Sequence, residues 1–190
     1  DFYGRFISLL QNNGIVFQVM QSTNDIWARD YMPIQIYDDH FVQYCYNPDY
    51  LQKSEEDKES ITDVDSVCKE LGILTYKTDL VIDGGNVVKA GKYIIMTEKV
   101  YVENSHLKPA EVRAQLCSIF HRDVIMLPWD IKEPYGHADG IIKAIDDNTV
   151  LLTNYDDFDS HYAKRFENIL SKHFTVKKLS YHLEHPNKNN

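Results

Sequence analysis

The sequence is poor in cysteine: Cys45, Cys68 and Cys117 are the only three in 190 residues, odd in number, far apart and without a Cys-x-x-Cys pair. That pattern excludes a disulfide framework and a cysteine-ligated zinc site, and it fits a reducing, cytoplasmic setting. Long apolar runs are missing too, and the opening Asp1-Phe2-Tyr3-Gly4-Arg5 has no basic-then-apolar leader pattern, so neither a membrane partner nor a secretory signal is read. Eight glycines and six prolines cannot build a collagenous or low-complexity segment. Positive charge is the scarcer sign, with twenty Lys and Arg against twenty-nine Asp and Glu and a net charge of -9. Without a basic stripe to neutralise phosphates, nucleic acid is excluded as a partner and a small cation is expected instead.

What remains is a globular composition, 43% hydrophobic and 12% aromatic, in a length that suits one domain over residues 1–190. Phe2, Phe6, Leu9 and Leu10 share one helical face, Gly14 breaks the helix, and Ile15 to Val19 reads as a buried strand. Three times thereafter the order is strand, strand, helix, strand. The first unit, at about residues 31–76, has strands from Ile34 to Tyr37 and Phe41 to Tyr46, an exposed loop from Gln52 to Ser60, a helix ending at Gly72 and a strand from Ile73 to Tyr76. The second, at 83–127, has strands from Asn86 to Lys89 and Tyr93 to Thr97, a helix from Pro109 to Phe120 and a strand from Asp123 to Leu127. The third, at 137–179, has strands from Ile141 to Ile145 and Val150 to Asn154, a helix from Ser160 to Lys172 and a strand from Phe174 to Leu179. A ring of ββαβ units is the simplest architecture, and residues 1–19 supply the helix and strand of a preceding unit.

The polar motifs recur at one place in that period. Trp27-Ala28-Arg29-Asp30 precedes unit one, Asp83-Gly84-Gly85-Asn86 opens unit two, and Gly136-His137-Ala138-Asp139-Gly140 opens unit three. Asp30 and Asp83 are 53 positions apart, and Asp83 and His137 are 54 apart. Rotation about a common axis would bring Asp30, Asp83, His137 and Asp139 into one pocket, with His137 and Asp139 projecting together from an extended segment. Carboxylates resist such crowding unless something positive sits among them, either a metal ion or a planar organic cation such as a guanidinium. Trp27 favours the organic cation, because its face suits an alkyl chain or a planar head and a metal has no use for it. The two glycines after Asp83 read as a tight turn with positive φ, Arg29 as a structural ion-pair partner, and all three cysteines as packed core thiols.

Asn24-Asp25-Ile26-Trp27-Ala28-Arg29-Asp30 with Pro33, then Asp83-Gly84-Gly85-Asn86, then Gly136-His137-Ala138-Asp139-Gly140, resemble the agmatine deiminase and Porphyromonas-type peptidylarginine deiminase family, in register over roughly residues 15 to 180. The resemblance implies the pentein fold, a five-bladed α/β propeller of which about three and a half units are present here. It implies hydrolysis of a guanidine by a cysteine thiolate through a thiouronium adduct, with agmatine giving N-carbamoylputrescine and ammonia, or with arginine side chains as substrate. It assigns Asp30 and Asp139 to gripping the guanidinium, His137 to acid–base work, and Trp27, Asp83 and Asn86 to the substrate pocket, although Asp83 stands where many members have Glu. No cofactor or resident metal is implied. The family's nucleophile follows a Gly-Gly motif near the carboxyl end that this sequence lacks, so the chain is expected to be an inactive fragment whose open ring either associates with itself as a homo-oligomer through its exposed edges or needs its missing segment. A non-catalytic guanidinium-binding relative is the alternative.

Overall fold

The computed structural model describes residues 1–179. Helix α1 (Phe2–Asn12) is capped by the Asp1 carboxylate, which accepts from the Gly4 amide, and none of its residues is buried. A single helical turn, α2 (Ala28–Tyr31), then leads into strand β1 (Ile34–Tyr37), antiparallel to β2 (His40–Cys45). Helices α3 (Glu55–Glu59) and α4 (Val64–Leu71) follow, and β3 (Thr75–Val81) returns parallel to β2. Asp63 caps α4, and Gly72 stops it by taking the left-handed conformation at φ 66.

The second unit repeats this plan. Strands β4 (Val88–Ala90) and β5 (Tyr93–Thr97) form its hairpin, α5 (Lys99–Glu103) and α6 (Pro109–Phe120) cross over, and β6 (Asp123–Leu127) pairs parallel to β5. The third has β7 (Ile142–Ala144), β8 (Thr149–Thr153), α7 (Ser160–Leu170) and β9 (Thr175–Leu179) in the same relation. Among the described residues there are three three-stranded sheets of like topology, and they do not close a ring.

Strand periodicity joins the units. Ile94, Ile95 and Met96 on β5 are fully buried, yet Ile94 and Met96 belong to the core shared with unit one and Ile95 to the core shared with unit three. Successive side chains of a strand point to opposite faces, so the middle sheet is covered on both. Truncating Ile95 to Ala would cost about 2–5 kcal/mol. No helix among the described residues is long and apolar enough to cross a membrane.

Three expectations are corrected. Residues 15–19 form no strand: Ile15, Val16, Phe17 and Val19 are all exposed, and no partner edge among the described residues completes a ladder with them. The stretch from Gln52 to Ser60 is partly helical, because Ser54 caps α3 by accepting from the Asp57 amide. Cys45 sits exposed at the end of β2, on the face opposite the core, while Cys68 is buried and Cys117 half-buried. One more step of the repeat from His137 reaches His185 to Asn190, which would lead into a fourth hairpin, and these residues lie outside the described ones.

Candidate active site

Asp30 lies on the one-turn helix α2, whose position is fixed from below. The buried Tyr44 hydroxyl donates to the Asp30 carbonyl at 2.6 Å and to the Met32 carbonyl at 3.0 Å. Asp83 ends the extended segment after β3, and its Oδ1 accepts from the Gly85 amide at 3.1 Å, which folds the Gly84–Asn86 turn. Neither glycine there has positive φ. Their requirement is space: a Cβ on Gly84 would run into the Arg29 carbonyl, and one on Gly85 would lie 2.5 Å from His137 Nδ1 and 2.7 Å from Asp30 Oδ1. The two glycines let three distant motifs touch, and the Asp139 amide closes the arrangement by donating to the Gly85 carbonyl at 3.0 Å.

The result is a buried acid–base cluster. His137 Nε2 stands 2.9 Å from Asp83 Oδ2, a close ionic contact set off the line of a well-aligned hydrogen bond. The Tyr50 hydroxyl donates to the same Oδ2 at 2.5 Å. Asp30, Asp83 and His137 each present a donor atom within 4.8 Å of the others. Burial, reinforced by the neighbouring Asp83 charge, raises the Asp30 carboxyl to about 7, against the opposing pull of His137. Burial pushes the His137 pKa down, but Asp83 beside it, with Asp30 and Asp139 behind, prevails and holds it above the ordinary value. Burial and then the Asp83 charge push the Tyr50 phenol well up, so it remains a donor.

Asp30 and His137 of this cluster line a cavity of about 640 Å³ together with Trp27, Tyr46, Tyr50 and Tyr135, while Asp83 is not part of its lining. Trp27 is 62% exposed, which leaves its face free for a ligand. Asp25 and Asp57 lie on the same cavity, each half-buried.

Of the residues singled out from the sequence, Trp27, Asp30, Asp83 and His137 are brought together, Asp139 stands at the edge of the group and Asn86 is apart. The Asp139 charge reaches Asp30 and His137, but the residue does not line the cavity, the chain turning at Ala138–Gly140 with Ile141 and Ile142 donating to the Ala138 carbonyl. Its carboxylate instead meets Arg29 Nε at 3.4 Å beside a separate, smaller recess. Asn86 is buried away from the cavity, its Oδ1 accepting from the Thr97 amide at 2.8 Å and its Nδ2 donating to the Thr97 carbonyl at 3.4 Å. Tyr50 was invisible in the sequence, one of thirteen tyrosines with no motif around it. None of the three cysteines lines the cavity. Burial raises the thiol pKa of Cys45 and of Cys68, the opposite of what a nucleophile needs.

Repeated ββαβ units with a carboxylate–histidine cluster where their opening motifs converge define a mixed α/β protein of the pentein superfamily. The chain belongs to the Porphyromonas-type peptidyl-arginine deiminase family, whose model matches residues 6–185. Among solved structures it is similar to C. jejuni agmatine deiminase, with 22% identity and a TM-score of 0.64 over 85% of this chain and 54% of that one. A cysteine-to-serine variant of that enzyme with substrate bound gives 22% identity and a TM-score of 0.65, covering 93% of this chain and 60% of that one. Enterococcus faecalis agmatine deiminase gives 22% identity and a TM-score of 0.64, over 81% of this chain and 49% of that one. At such identity the likeness concerns the fold, and the chain spans roughly half the length of these enzymes. No curated protein sequence matches the chain.

Proposed function

We propose that the cavity binds a guanidinium group and that the chain carries the gripping and proton-transferring part of a deiminase site. The observation that carries this reading is the grouping of buried Asp30 and Asp83 with half-buried His137. Two buried carboxylates this close hold a proton at the expense of ionisation, and a planar cation with five donors relieves both. The exposed faces of Trp27 and Tyr135 on the same cavity suit the alkyl chain beyond the guanidinium.

In the reaction, neutral His137 takes the proton of a thiol as the sulfur adds to the guanidinium carbon, and then gives that proton to the departing nitrogen. Ammonia leaves and a thiouronium adduct remains. His137 then takes a proton from water, the hydroxide adds to the same carbon, and the C–S bond breaks to release a ureido product and the thiol. Because none of this chain's cysteines lines the cavity, the thiol in this reading comes from outside the 190 residues, and the chain alone binds without turnover. The proposed substrate is agmatine, giving N-carbamoylputrescine. Asp25 and Asp57, opposed by the single Lys53 on the same cavity, leave a net negative charge that favours a ligand with a second positive charge over an uncharged peptide main chain.

Calorimetry with agmatine, and with a blocked arginine amide for comparison, tests the reading. Binding of agmatine that disappears in Asp30→Asn supports it, and preference for the blocked arginine would move the substrate to peptidyl-arginine. An absence of binding by either compound above pH 7 would sink it.

A further inference from the structure

Lys99, the first residue of α5, is 3% exposed, although nothing in its surroundings is a substrate contact. Its ammonium meets Asp49 Oδ2 at 2.5 Å and Glu103 Oε1 at 3.0 Å, and lies 4.9 Å over the Trp129 ring. Burying an ammonium is expensive unless it is well paired, and such groups are retained in some proteins for the single geometry they impose. Here the partners lead to the site.

Asp49 begins the turn Asp49–Gln52, and its amide also donates to Glu103 Oε2 at 3.2 Å. The next residue is Tyr50, whose hydroxyl reaches Asp83. The stem of the same lysine lies under the other wall: a Cβ on Gly136 would sit 2.6 Å from Lys99 Cβ and 2.7 Å from Cγ, at a backbone φ of +67. Thr97, two residues before Lys99, donates its hydroxyl to the Gly136 carbonyl at 2.5 Å. The residue after Gly136 is His137, and the Tyr50 and Tyr135 rings meet edge to face at 5.0 Å across the gap.

We propose that Lys99 is a positioning residue for the acid–base cluster: its ammonium fixes the Asp49 turn so that Tyr50 meets Asp83, and its methylene stem seats Gly136 so that His137 meets the same carboxylate. Its consequence for binding rests on the guanidinium reading, whereas the positioning does not.

The test uses the 190-residue chain with Lys99→Met and with Asp49→Asn. The second substitution is the safer one for folding, because the Asp49 side chain is 54% exposed and the Lys99–Glu103 pair survives it. Folding is checked by circular dichroism, and NMR follows the Tyr50 hydroxyl proton and the His137 ring nitrogens without ligand. The expected result in folded Asp49→Asn is loss of the protected hydroxyl signal, displaced His137 ring signals, and agmatine binding weakened about tenfold or more. Unchanged Tyr50 and His137 signals, whether or not stability falls, would make Lys99 a core ion pair and overturn the proposal. If the unsubstituted chain fails to bind agmatine, the guanidinium reading falls while the ligand-free signals still decide the role of Lys99.

Discussion

Gly85 packs so close to the His137 ring that the first atom of any side chain would stand 2.5 Å from Nδ1. The neighbour on its other side is Asp30 Oδ1, so Gly85→Ala must push apart the groups proposed to share the ligand. Overpacking of this kind costs about 1–3 kcal/mol. Gly84→Ala should cost more, because its obstacle is the Arg29 backbone rather than a movable side chain. Urea unfolding ranks the two, and calorimetry should show agmatine binding lost in Gly85→Ala while the protein is still folded.

The titrations of the site give ligand binding a direction with pH. Asp30 is protonated below about 7 and must ionise to receive a cation, and His137, held above its ordinary value, must lose its charge to stop repelling one. Both changes favour binding as pH rises. At pH 5, two units below the Asp30 midpoint, about 1% of Asp30 is ionised, so agmatine affinity should be about a hundredfold weaker than on the plateau. Calorimetry from pH 5 to 9 checks this, and a flat profile would detach Asp30 from the ligand.

Tyr50 holds one oxygen of the carboxylate pair. Its hydroxyl donates to Asp83 Oδ2 at 2.5 Å, the oxygen that also faces His137 Nε2. In Tyr50→Phe the carboxylate loses this partner, which should cost about 1–3 kcal/mol in urea unfolding, and calorimetry should show agmatine binding weakened. Unchanged binding in the folded variant would mean that Tyr50 takes no part in arranging the site.

These residues differ in how far they could be foreseen. Helix α6 and strand β6 have the bounds expected from the sequence, because Pro109 at the first helical position and an apolar run are local signals. The strand expected at 15–19 failed because its apolar run specifies a strand only in the presence of an edge to pair with. Asp30, Asp83 and His137 could be placed together by their spacing. Gly84 and Gly85 need room rather than the positive φ expected of them, and a sequence does not separate the two requirements. Tyr50 reaches Asp83 across 33 positions and Lys99 reaches Asp49 across 50, contacts between distant segments that leave no local pattern.

Asp30→Asn separates stability from binding. The Asp30 carboxyl is raised from an ordinary 3.8 to about 7, so the folded chain holds this proton more tightly than the unfolded one. The stability this contributes is fully present below about 3.8 and is lost as pH rises through about 7. An amide keeps the shape and cannot ionise against Asp83, so the variant should match the parent near pH 4 and gain on it steadily up to pH 8. Agmatine binding should be abolished over the same range, because the carboxylate it needs is gone. Melting temperatures at pH 4, 6 and 8 with calorimetry at pH 8 give both readings. A variant that binds as the parent does, or that loses stability as pH rises, would show that Asp30 carries its charge for the fold and not for a ligand.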